Sequence, residues 1–196
     1  VASRTLSTTG TDYLPPGTEL EYFYSIRDAD GNVLRTSPVT FTYTDERFKW
    51  ETTRIGPLTL YWHDQPAARV ESVIQLVAES LDRVESLLGM ELGKPVKGFI
   101  YNSFMEAEPA LPKESKILSQ QNVFQGFAFS SQGVFVGVGL EEGLIVHEMA
   151  HLFLKQAVGS HVGSLPAWFN EGLSSYVEPG PPRSFIGSRD EVSSTL

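Results

Sequence analysis

At 196 residues and 41% hydrophobic content, the chain has the apolar material for one folded domain, or one domain with a small appendage. Its 24 acidic residues outnumber 15 basic ones, for a formal net charge of −9 with no Lys/Arg stripe, which argues against nucleic acid as a partner. No apolar run reaches the roughly 18 residues that a bilayer-spanning segment needs, and the absence of cysteine excludes disulfides and thiolate metal sites.

Residues 1–48 read as a β-rich appendage. The chain opens Val1-Ala2-Ser3-Arg4, which has no leader character, so a leader or upstream portion is expected to have been removed. Aromatic-rich strands are predicted over 19–26 and 39–44, with Asp28-Ala29-Asp30-Gly31-Asn32 as the turn between them. Another turn is expected at Pro15-Pro16-Gly17. The segment is too short for a whole β-sandwich, so it reads as a partial immunoglobulin- or fibronectin-like module, or as a hairpin packed on the next domain. Asp28, Asp30 and Asn32 have the flavour of a calcium loop, but Val39 stands where an EF-hand needs its bidentate glutamate, which favours a plain turn.

Residues 49–196 read as the main domain. Leu58-Thr59-Leu60-Tyr61-Trp62 is a predicted strand, followed by a helix over 65–88. The apolar stripe of that helix is Val70, Val73, Ile74, Val77, Leu81, Val84, Leu87 and Leu88, with Glu71, Gln75, Glu79, Asp82 and Glu85 facing water. Gly89 or Gly93 should end it. A strand is expected over 96–101, then a short helix capped by Asn102-Ser103, then strands over 121–129 and 133–139.

A helix over 141–158 follows, buried through Leu144, Ile145, Met149, Leu152 and Phe153, with Gly159 as its stop. A second helix is expected after Ser164 as cap, with Pro166 in its first turn. Gly172 sits inside it, where glycine costs about 1 kcal/mol, which predicts close backbone contact with the preceding helix. Glu178-Pro179-Gly180-Pro181-Pro182 ends it, and 183–196 hold too few apolar side chains for a core.

The first of these two helices carries His147-Glu148-Met149-Ala150-His151. Residues four apart share a helix face, so the two imidazoles project side by side, as two ligands of one zinc ion require. Glu148, one residue after the first histidine, can reach a metal-bound water without being a ligand. A catalytic zinc takes a third protein ligand and keeps one position open, and Glu171 on the next helix is the best candidate. A third histidine at position 157 would mark a metzincin, and Ala157 stands there. His161, past the helix end, reads as a solvated loop histidine that could still touch substrate or metal. Spacing alone thus predicts a His147/His151/Glu171 zinc site of catalytic type.

The stretch Trp168-Phe169-Asn170-Glu171-Gly172-Leu173-Ser174-Ser175-Tyr176 resembles the glutamate helix of thermolysin-like and aminopeptidase-N-like enzymes. With the His-Glu-x-x-His motif, residues 133–178 resemble a gluzincin metallopeptidase, nearest to the bacterial peptidase MA-like domains. The resemblance implies an α+β zincin-like fold, a mixed sheet carrying a zinc helix and a glutamate helix. It also implies zinc-dependent hydrolysis of a peptide or protein substrate with Glu148 as general base. One of the strands before the motif helix would pair with substrate, or is an internal strand whose glycines allow close packing; Asn170, read equally as an exposed residue, is with Tyr176 and His161 a candidate for contact with the ligands or the substrate. An extracellular or cell-surface location is the accompanying expectation.

The chain departs from the pattern at three places. Tyr176 lies on the glutamate helix, where packing is the better reading, so no oxyanion donor is evident. Gln125-Gly126-Phe127-Ala128-Phe129 is not the stretch with which aminopeptidases hold a substrate amine, so an endopeptidase is favoured. Ser175 stands where thermolysin-like enzymes place the aspartate that buttresses the first histidine, so that support must come from elsewhere. A zinc-binding protein without turnover, and a binding module acting through its N-terminal β segment, are the alternatives.

Overall fold

A computed structural model describes residues 13–89, 93–112, 126–159 and 165–179. Its strands are β1 (Glu19–Tyr22), β2 (Ser25–Arg27), β3 (Val33–Arg35), β4 (Val39–Thr42), β5 (Glu51–Ile55), β6 (Leu58–Trp62), β7 (Val96–Tyr101), β8 (Gly126–Phe129) and β9 (Val134–Val138). Its helices are α1 (Ala67–Leu88), α2 (Phe104–Ala107, continued by a 3-10 turn over Glu108–Ala110), α3 (Glu142–Val158) and α4 (Ala167–Val177). Mixed strands and helices make this an α+β arrangement.

The centre is a five-stranded sheet in the order β5-β6-β7-β9-β8. β6, β7 and β9 run parallel, while β5 and β8 close the two edges antiparallel. Alternation decides which side chains go where. Leu58, Leu60, Trp62, Val96, Ile100 and Phe135 point to the face covered by α1 and α3 and join their apolar side chains in one core cluster. Phe99, Tyr101, Val134 and Val136 point the other way and pack with Ala107, Ala110 and Leu111. β9, the strand preceding the motif helix, is therefore internal, and β8 carries an outer edge.

α1 forms because apolar residues recur at helical spacing, and Val70, Val77, Leu81 and Val84 are buried. Each such burial contributes about 1.5–3 kcal/mol. The stripe is narrower at its end than the pattern predicts: Leu87 is 45% exposed. Ser80 instead is fully buried, donating to Glu142 Oε1 at 2.8 Å and so tying α1 to the first turn of α3. Gly89 ends α1 in the left-handed region at φ 63, its N–H reaching Glu85 O. Ser103 accepts from Glu106 N and starts α2.

β1 pairs β4 and β2 pairs β3, giving a two-stranded ribbon. At its turn Gly31 has φ 88, and the Asp28 carboxylate accepts from the N–H groups of Asp30 and Asn32 and from Asn32 Nδ2. That carboxylate is committed to the turn, in line with the plain-turn reading. The root of the ribbon is tied to the sheet: Lys97 Nζ donates to Glu19 Oε1 at 2.8 Å, and Tyr101 donates to Asp45 Oδ2 at 2.9 Å. Among the described residues, no helix is long and apolar enough to cross a membrane.

Candidate metal centre

α3 lies across the sheet with Leu144, Ile145, Met149, Leu152 and Phe153 fully buried. That orientation leaves the opposite part of its surface, with His147 and His151, facing α4. α4 starts after Pro166, which occupies the N-cap position rather than the first turn expected for it; the Asn170 N–H bonds Pro166 O. Ser164, the predicted cap, lies outside the described residues, as does His161.

His147, His151 and Glu171 converge. The two Nε2 atoms are 3.1 Å apart, and Glu171 Oε2 lies 3.5 Å from His147 Nε2 and 3.7 Å from His151 Nε2. Ligand atoms about 2.0–2.1 Å from a tetrahedral ion stand ~3.3 Å apart, so the three edges of this triangle fit one zinc-sized cation.

The other ring nitrogens strengthen the fit. His147 Nδ1 faces Glu178 Oε1 at 2.6 Å, and His151 Nδ1 faces Ser174 Oγ at 3.1 Å. With each Nδ1–H donating outward, both Nε2 lone pairs point at one another and at a carboxylate oxygen. A shared cation resolves that opposition. Among the described residues, these three form the group of His, Asp and Glu side chains able to hold a metal. His63 is not part of it: it is buried against the rings of Phe48 and Trp50 at the end of β6.

Glu148 does not join the triangle. It is buried beside a cleft of about 270 Å³ lined by Gly126, Phe127, Ala128 and Ser130 on one side and by the two histidines, Glu148, Asn170 and Glu171 on the other. Burial, then the charges of Glu171 and Glu178, push its carboxyl up to about 8. Burial lowers the His151 imidazole, against the pull of the adjacent Asn170.

Two expectations are corrected. A Cβ on Gly172 would meet nothing within 4 Å, so this glycine makes no close contact with the motif helix. Tyr176 is 74% exposed, so it neither packs nor lines the cleft. Sequence reasoning also missed Ser174 and Glu178. Ser174 had a spacing signal, three residues beyond Glu171 on the same helix. Glu178 was visible only as the start of a Pro-Gly stop.

Residues 77–189, more than half of the chain, match the family model of the Peptidase MA superfamily. The chain belongs to the Peptidase MA superfamily. No curated protein matches it. The matched span runs from within α1 through β7, β8 and β9 to α3 and α4, so it contains every residue of the metal-capable cluster. A peptidase-type domain of this superfamily takes peptide or protein substrates, and the cluster stands ready for a metal.

Proposed function

We propose that the chain is a zinc-dependent endopeptidase of gluzincin type, in which His147, His151 and Glu171 hold zinc and Glu148 is the general base. The observation that carries this reading is the convergence of three donors whose imidazoles are each oriented from behind, with a buried carboxylate next to them that is not a ligand. Bound zinc would supply Lewis acidity, acidifying water and polarising a carbonyl.

The protein's own residues do the rest. Glu148 takes the proton from the attacking water and delivers it to the departing amine. Its burial suits that task, since a carboxyl poised near neutrality both accepts and releases a proton. The outer edge of β8 offers backbone groups to an extended peptide, which would place the scissile bond over Glu148. Glu178 and Ser174 fix the rings of His147 and His151.

The test is hydrolysis of a quenched peptide library by zinc-loaded protein and by Glu148→Gln. Glutamine keeps the shape and loses the base, so the rate should fall about 10²–10⁴-fold with zinc still bound. Equal rates overturn the proposal. A second reading, zinc and peptide binding without turnover, is favoured by one observation. The described lining of the cleft holds no tyrosine and no histidine besides the two ligands, so no side chain of the kind gluzincins use on the oxyanion is present there. Peptide binding without cleavage in both proteins would support it.

A further inference from the structure

Gly126 is the first residue of β8 and pairs with Gly137 of β9. Neither glycine has a positive φ, so the backbone at both positions is one that any residue adopts. Gly139, two residues on, is the opposite case: φ 88 and open space where a Cβ would stand. Glycine inside a strand weakens it through entropy and lost packing. What keeps side chains out of positions 126 and 137 is therefore space.

That space is taken by α3. A Cβ on Gly137 would stand 2.9 Å from Leu144 Cδ2 and 3.1 Å from Ile100 Cδ1. A Cβ on Gly126 would stand 2.7 Å from both Cδ and Cγ of Glu148, and would collide with Oε1 as well. Real carbon atoms do not approach so closely. Rotating the carboxylate cannot relieve the overlap, because Cγ is as near as Cδ. The whole side chain would have to move, and Glu148 is only 6% exposed where it lines the cleft.

We propose that Gly126 is a positioning residue: its bare backbone on the edge strand is the seat against which the Glu148 carboxylate is held over the cleft. Gly137, across the ladder, lets the preceding turn of α3 sink to the same depth. The inference rests on the reading of Glu148 as general base, but the contact itself does not. The three atoms nearest to a Cβ on Gly126 all belong to Glu148, which is outside the metal triangle, so base placement and metal binding become separable.

The test is Gly126→Ala, alone and combined with Glu148→Ala, read by three measurements on zinc-loaded protein. In the parent the alanine should lower Tm by about 5 °C. In the Glu148→Ala background it should lower Tm little or raise it, because the clash is gone and alanine is the better strand residue. Zinc affinity, measured by chelator competition, should stay within about threefold, while kcat falls about 10- to 100-fold. An equal loss of Tm in both backgrounds, or none in the parent, overturns the inference. Hydrolysis absent from the parent removes the general-base reading, and the melting cycle still decides whether Glu148 is seated on Gly126. A large loss of zinc affinity with Gly126→Ala would show that the glycine shapes the metal site as a whole, and would also overturn it.

Discussion

Replacing Glu178 by glutamine leaves an acceptor of the same size behind His147 but removes its charge. The native contact is short, 2.6 Å from Nδ1 to Oε1, and both partners are largely withdrawn from water, with Glu178 8% exposed. Charge-assisted hydrogen bonds of this kind are about twice as strong as neutral ones. Loss of such support behind a ligand histidine typically lowers metal affinity about 10–100-fold, or ~1.4–2.7 kcal/mol. Glu178→Gln should sit near the lower end of that range, since the orientation is kept. Glu178→Ala should reach the upper end, since the imidazole then has no acceptor and can turn. Zinc affinity by chelator competition measures the first effect, and ¹⁵N NMR of the zinc-loaded protein reports whether His147 keeps its proton on Nδ1. Affinities within twofold of the parent for both variants, with the same tautomer, would refute the role of Glu178.

Other perturbations separate the parts of the site. Ser174→Ala removes the partner of His151 Nδ1, a neutral contact at 3.1 Å, so zinc affinity should fall by only about 2- to 10-fold; a loss larger than that of Glu178→Ala would contradict the ordering. A chelator should lower the melting temperature, because zinc at ~100 times its Kd adds about 2.7 kcal/mol to native stability, or on the order of 5–10 °C for a chain of this size; an unchanged melt would count against the site. In metal-free protein the Glu148 carboxyl, raised from 4.5 to about 8, holds its proton in the native state while the unfolded chain releases it. Its contribution is therefore fully present below pH 4.5 and is lost as pH rises through 8. Denaturant unfolding should show Glu148→Gln gaining stability over the parent as pH goes from 5 to 8, and parallel profiles would show that the carboxyl is not desolvated.

The motif helix and its neighbour were legible because their chemistry depends on short-range spacing. His147 and His151 lie one turn apart on α3, and Glu171 follows on the next amphipathic segment. β6 was legible from strict alternation, with Leu58, Leu60 and Trp62 buried. β5 was not, because Glu51-Thr52-Thr53-Arg54-Ile55 is a mostly exposed edge strand and shows no apolar period. The end of α1 was misjudged because Leu87 satisfies the helical period yet stays 45% exposed, whereas Ser80 is drawn inward by its bond to Glu142. Glu178 and Gly126 escaped for a shared reason. The role of each is defined by a partner far along the chain, His147 for one and Glu148 for the other, and no local pattern encodes such a meeting.

Whether one cation is shared by α3 and α4 is decided most directly by zinc K-edge absorption spectroscopy combined with anomalous diffraction from a zinc-loaded crystal. One ion per chain, with two imidazole nitrogens from His147 and His151 and an oxygen from Glu171 in its shell, is the predicted result. An empty site after loading, or an ion bound by the histidines while Glu171 points away, would contradict it.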